Sequence, residues 1–155
     1  AGDYEKAFIL FRAFLDGTEA SSSEASKSGL IRFLWRYLTL MGIQPDVNRC
    51  IECSHPISTE TSEGGTYIRY LNGFVCSECL QTHIQNTKSD KGSALHIKSS
   101  SLFYLNAVSS LKPQAVRSIP LAEESYNELK ELLFLLIENA AGTFLHSLET
   151  ARDII

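Results

Sequence analysis

No apolar run in the chain approaches the roughly 20 residues that a helix needs to cross a bilayer, so no membrane-spanning helix is expected within its 155 residues. The opening, Ala1 to Glu5, is polar and acidic. It lacks the basic stretch followed by an apolar one that marks a secretory leader, and the expected location is the cytoplasm. An initiating methionine is also missing, so the sequence reads as a piece of a longer protein. There is no surplus of positive charge: 14 Lys and Arg face 18 Asp and Glu, for a net charge of −4. Contact with nucleic acid would therefore come from a local basic patch rather than from the overall field. Catalytic signatures are absent as well. No Ser-His-Asp set or paired carboxylates stand out. Gly64-Gly65 reads as a turn, because it has no strand–loop–helix context with Lys-Ser/Thr to make a phosphate loop. None of the four histidines begins a His-x-Glu and neither cysteine pair follows a proline, which excludes a deaminase-type zinc site.

Hydrophobic residues make up 44% of the chain, enough for a packed core in one domain. The spacing of Phe8, Phe11 and Leu15 predicts a helix from Asp3 to Leu15, stopped by Gly17. Thr18 to Ser28 is rich in Ser, Glu and Ala and reads as a loop leading into a helix. Leu30, Leu34, Tyr37, Leu38 and Met41 stripe a helix over 30–41, with Gly42 as its stop and Pro45 blocking continuation. Helical periodicity then disappears from Asn48 to Leu80. Thr66 to Tyr70 reads as a strand and Asn72-Gly73 as a tight hairpin turn with both residues at positive φ. Phe74 and Val75 form the return strand, and Ser77 is placed to cap a short helix through Ile84. Asn86 to Ser93 is a polar loop. Helices are expected again over Ser99–Leu111, ended by Pro113, and over Glu123–Ala141, broken by Gly142, with a weaker one from Phe144 to Ile155. The class is mainly α: a helical bundle, with helices over about 3–47 and 95–155, carrying a small β-hairpin, zinc-ribbon-like insert over about 48–84.

The most specific feature is the use of all four cysteines. They form two Cys-x-x-Cys pairs, Cys50/Cys53 and Cys76/Cys79, separated by 22 residues. A Cys-x-x-Cys turn aims two sulfurs at one point, and a hairpin between two such turns brings four together, which suits one structural zinc ion in a tetrahedral S₄ site. Such a site is closed, so it supports folding rather than reaction. Four thiolates and one divalent cation would move the formal charge from −4 to −6, partly offset by neighbouring Arg49. Thiolate tetrahedra also suit iron, which remains an alternative metal. Two disulfides or a redox dithiol fit less well in a chain without an export signal. His55 and His83 lie near the ligands in sequence, but with four cysteines available they read as surface or neighbouring histidines. His96 and His146 have no evident partner.

Arg32 and Arg36 share a helix face at i, i+4 spacing, and Arg49 and Arg69 lie in or beside the cysteine unit. Lys88, Lys91 and Lys98 follow it. These basic side chains could meet a phosphate backbone, with Tyr67, Tyr70 or Phe74 stacking on bases if exposed. The plainer reading is solvated charge around a small hairpin core. The last 55 residues, with four basic and seven acidic groups, make a poorer nucleic-acid surface. Their excess of Leu and Phe would suit a groove for a partner segment, or simply core.

Taken together these residues resemble the C-terminal part of the RecO family of recombination mediators. The resemblance lies in Tyr37-Leu38 to Met41-Gly42, Pro45 and Cys50-x-x-Cys53, then in Asn72-Gly73-Phe74 leading into Cys76-x-x-Cys79. It is looser over Leu102–Leu111, the helix from Glu123 and Phe144-Leu145-His146-Ser147-Leu148. It covers nearly the whole chain. It implies a DNA repair role without catalytic turnover, in loading recombinase onto single-stranded DNA and annealing strands. The implied setting is the bacterial cytoplasm, in association with the nucleoid. The implied partners are a RecR-like protein, the C-terminal tail of single-strand-binding protein, and single-stranded or duplex DNA. The family's zinc cysteines carry onto Cys50, Cys53, Cys76 and Cys79. Its N-terminal OB-fold, which would provide most of the DNA contact, has no counterpart before Asp3. A generic zinc-ribbon interaction module in transcription or ribosome biology is the alternative, and an enzyme with an unrecognised site a third.

Overall fold

The computed structural model describes residues 23–57, 63–87 and 94–154; side chains are described except at 84–87, 141 and 143–154. The expected helix over 3–15 and the lysines Lys88 and Lys91 lie outside the described residues. Helix α1 spans Ser23–Leu40 and starts earlier than the sequence pattern indicates. Ser23 to Ser28 carries no apolar stripe, but nothing in it opposes a helix, and Glu24 sits favourably in the first turn. The face that packs inward is Ile31, Trp35 and Leu38. Gly42 ends the helix as expected: at φ 70° it lets its own N–H reach the Thr39 carbonyl (3.0 Å) and that of Ile43 reach Leu38 (3.1 Å).

The small sheet contains β1 (Gly65–Ile68), β2 (Gly73–Val75) and β3 (Ala94–Ile97), all antiparallel in the order β2-β1-β3. The hairpin is real, but its connection is not the two-residue turn the Asn-Gly pair suggests. Ile68 pairs with Gly73, and Arg69–Leu71 form a 3₁₀ turn between them. Only Asn72 is left-handed, at φ 50°, where its side chain accepts a 2.8 Å hydrogen bond from the Tyr67 hydroxyl. Strand β3 was not expected. Unlike β1 and β2 it carries no aromatic residue and has no Asn-Gly reversal beside it, and it runs almost directly into a helix.

Helix α2 (Ser77–Thr87) follows β2 through Cys76. Ser77 does not cap it; its hydroxyl donates to the Glu63 carboxylate at 3.3 Å. Helix α3 (Ser99–Ser110) buries Leu102, Leu105 and Val108. Pro113 does more than mark the end of α3: it opens the short helix α4 (Pro113–Arg117), where a missing N–H costs nothing. Helix α5 spans Glu123–Ile154 without interruption, so Gly142 does not break it and no separate final helix begins at Phe144. A glycine inside a helix costs about 1 kcal/mol relative to alanine, which a helix with a long apolar face absorbs.

Leu129, Leu132, Leu133 and Leu136 of α5 pack with Ile31, Trp35 and Leu38 of α1 and with α3. Trp35 is fixed by a 2.8 Å bond from its indole N–H to Ser109 Oγ. The same hydrophobic cluster includes Tyr67, Ile68, Phe74, Val75 and Ile97 from the sheet. The β unit is thus joined to the helices through shared core rather than projecting as an outgrowth. Asn48 to Asn106 (3.3 Å) ties its approach segment to α3. The architecture is mainly helical with a small three-stranded antiparallel sheet, and among the described residues no helix is long and apolar enough to cross a membrane.

Candidate metal centre

The first cysteine pair sits on a narrow loop whose base closes by pairing of Arg49 with Pro56 and by an N–H from Ile57 to the Asn48 carbonyl (2.8 Å). Asp46 steadies the entry, accepting the Asn48 N–H at 2.8 Å. Within the loop Cys50 donates to the His55 carbonyl (2.9 Å), and Ser54 folds back to the Cys50 carbonyl (3.0 Å). That reversal puts Ser54 at φ 63°, a region side chains seldom adopt. A bond of 2.8 Å from the Ile51 N–H to the Phe74 carbonyl fastens this loop to β2. Gly73 permits the approach: a Cβ there would stand 2.5 Å from Ile51 Cδ1 and 3.1 Å from its Cβ.

The second pair comes from the junction of β2 with α2. Cys76 precedes the first helical residue and Cys79 lies one turn in, its carbonyl accepting from Thr82 Oγ1 at 2.6 Å. A helix N-terminus offers free N–H groups and positive potential, both of which favour thiolates. The four sulfurs all lie within 4.8 Å of one another, and Cys53 Sγ to Cys76 Sγ is 3.7 Å. Zinc–sulfur bonds of about 2.3 Å in a tetrahedron require sulfurs about 3.8 Å apart. The cluster is compact enough for a tetrahedral metal shell, the Cys53–Cys76 separation matching that value, and all four cysteines are free thiols.

Electrostatics point the same way. Burial pushes the Cys50 thiol up, but backbone N–H groups of Cys53, Cys76 and Glu52 outweigh it and bring the thiol down to about 6. Cys79 is pushed well above the ordinary thiol range, first by its hydrogen bonds to Cys76 and Cys53. One negative charge is welcome among the sulfurs and further ones are resisted, an imbalance that a divalent cation would remove. The donor set fits zinc or another thiophilic metal.

His83 has a defined place near this centre. Its Nε2 lies 3.4 Å from Glu52 of the first loop, its Nδ1 bonds the Tyr70 hydroxyl, and the two rings are 5.8 Å apart. One imidazole thus links the first loop, the 3₁₀ turn and α2. His55 takes part through its backbone carbonyl. His96 does have a partner, Thr66 Oγ1 at 3.3 Å across the β1–β3 pair, which spacing could not show because β3 itself was not legible.

The basic residues divide into groups. Arg32 reaches the Tyr104 hydroxyl at 3.3 Å. Arg36 is held below the usual guanidinium range by burial and by the positive charges of Arg32 and Arg117. Arg117 was missed in the sequence because it lies on α4, remote along the chain. Among the described residues none of these three has a carboxylate partner. Arg49 is exposed beside the first cysteine loop, and Arg69 bonds Asn139 at 3.3 Å. Lys98 is engaged by Glu124. Tyr67 and Phe74 are both fully buried, packed on each other at 5.6 Å, so they are core rather than a stacking platform; of the three aromatics only Tyr70 is exposed.

Fold and cluster together define a helical module bearing a four-cysteine site suited to a metal ion. The chain belongs to the family described as recombination protein O C terminal, whose profile matches residues 2–149. It is similar to the DNA repair protein RecO of Bacillus velezensis, 26% identical over 147 residues that make up 93% of this chain and 49% of that protein. The DNA repair protein RecO of Bacillus subtilis strain 168 is 27% identical over 129 residues, 81% of this chain and 45% of that protein. The chain thus spans about half the length of the curated relatives it matches. No solved structure matches it significantly.

Proposed function

We propose that this chain is the helical, zinc-holding part of a RecO-type recombination mediator, acting in DNA repair by binding rather than by turnover. The family match over residues 2–149 carries the reading. In it, Cys50, Cys53, Cys76 and Cys79 hold one structural zinc, and the chain forms one helical domain with the β unit as its insert. A bound zinc would lock the first loop to the β2–α2 junction. Four sulfur ligands fill its tetrahedral shell, so its contribution is to folding.

The whole mediator would load recombinase onto single-stranded DNA and anneal complementary strands in the bacterial cytoplasm, in association with the nucleoid. Its protein partners would be a RecR-like protein and the C-terminal tail of single-strand-binding protein. Arg32 and Arg36, joined by Arg117, offer the concentrated positive charge for phosphates, with Arg49, Arg69, Lys88 and Lys91 as further contacts. Calorimetry with the RecR-like protein and with a peptide of the single-strand-binding-protein tail tests the partner set, using the chain together with its upstream domain. Binding of at least one is expected; silence with both, or co-purification with ribosomal or transcription proteins instead, contradicts it. For DNA, Arg32→Gln with Arg117→Gln should weaken oligonucleotide binding and reduce the salt slope by about one for each phosphate no longer neutralised.

A further inference from the structure

We propose that the outer edge of β3, with the groove between it and α5, receives an extended segment of a partner protein as an added strand, in the pattern cation–x–apolar–x–cation. This site is separate from the arginine group and does not depend on the DNA-binding reading.

The two edges of the sheet differ. On the β2 side the first cysteine loop is attached through the Ile51 N–H to the Phe74 carbonyl. On the far side of β3 no strand pairs among the described residues. Proteins blunt such an edge with Lys, Pro, a bulge, very short length or a covering helix or loop. Ala94-Leu95-His96-Ile97 is short but carries no Lys, Pro or bulge. Helix α5 engages only its end, holding the Lys98 N–H through Glu128 and the Lys98 side chain through Glu124. Beside the edge lies a groove of about 410 Å³ lined by Ala94, Leu95, Glu131, Phe134, Leu135 and Glu138. Its floor is apolar, and Phe134 is 48% exposed although a large aromatic ring on a helix is ordinarily buried.

Charge selects the occupant. Glu131 and Glu138 are both exposed and have no ion-pair partner among the described residues. They stand seven residues apart on α5, two helical turns or about 10.5 Å. On an extended segment, side chains of residues i and i+4 share a face about 13 Å apart, with i+2 between them. Long cationic side chains at i and i+4 would meet the two carboxylates while an apolar i+2 covers Phe134 and Leu135. The same carboxylates repel a phosphate backbone. Backbone bonds to β3 supply affinity and the side chains supply selectivity.

The test uses the zinc-loaded chain and a fluorescein-labelled peptide with Lys-Thr-Ile-Thr-Lys between Gly-Ser flanks, against the same peptide with Glu for both Lys. Anisotropy should show the Lys peptide binding about ten-fold tighter, and hydrogen exchange at Ala94–Ile97 should slow when it binds. Glu131→Lys with Glu138→Lys should reverse the preference. Phe134→Ser should weaken both peptides at unchanged zinc content and helicity. Equal binding of the two peptides, no binding up to about 1 mM, or unchanged exchange in β3 would overturn the proposal. So would a dimer in light scattering that the double charge variant dissolves, since the edge would then belong to a second copy.

Discussion

Ser54 and Gly73 show how single residues set the geometry of the cysteine centre. Ser54 holds φ 63° because the first loop must turn back to the Cys50 carbonyl. A non-glycine residue there carries steric strain, so Ser54→Gly should raise the stability of the zinc-loaded protein by about 0.5–1 kcal/mol. A higher melting temperature checks this; an unchanged or lower one would mean that the serine hydroxyl has a role. Gly73 acts by lacking a side chain, since a Cβ would press on Ile51. Gly73→Ala should loosen metal binding in competition with a chromogenic chelator, and Ile51→Ala added to it should recover part of the loss. An additive pair of effects would show that the two residues do not act through one contact. Gly64 is stricter: at φ +66° a Cβ would lie 2.0 Å from the Ile97 carbonyl oxygen. Gly64→Ala should therefore cost about 2 kcal/mol or more in denaturant unfolding, because strand backbone has to move.

At the scale of elements, long apolar stripes and the two strands flanking the Asn-Gly reversal were legible, and features without such a marker were not. Helices α1, α3 and α5 follow from Leu, Ile and Trp at helical spacing. Strand β3 is no shorter than β1 or β2, but Ala94-Leu95-His96-Ile97 has neither their aromatic residues nor an Asn-Gly reversal beside it, and it runs almost directly into α3. The Asn72-Gly73 signal located the reversal but not its shape, because Tyr67 holds Asn72 while packing against Ile51 decides where Gly73 lies. Gly142 misled in the opposite direction: helix α5 runs through it, and among the described residues no other element stands within 4 Å of where its Cβ would be. Gly142→Ala should then stabilise the protein by about 1 kcal/mol through helix propensity. A fall in melting temperature and helical circular dichroism would instead indicate a break at that point.

For the whole molecule, the clustering of the four cysteines was the part of the site most legible in sequence, since two Cys-x-x-Cys pairs on either side of a hairpin need little further context. The basic surface was not: Arg117 joins Arg32 and Arg36 only through the packing of the bundle, and Tyr67 and Phe74 turned inward because the sheet shares the helical core. That shared core also sets what metal loss should do. The helices keep Ile31, Trp35, Leu102 and Leu129 among their buried residues, so they have packing of their own. The first loop is joined to β2 by the Ile51 N–H to Phe74 carbonyl bond and buries only Val47, Cys50 and Ile57 at its base, so a metal bridging to Cys76 and Cys79 would add most to its hold. The most direct measurement is metal analysis by inductively coupled plasma mass spectrometry on the purified chain and on Cys50→Ser, with melting temperatures recorded alongside. One zinc per chain is expected, and in the variant a loss of zinc accompanied by a clear drop in melting temperature. Absence of metal from the parent protein, or loss of zinc at an unchanged melting temperature, would contradict a structural four-cysteine zinc centre.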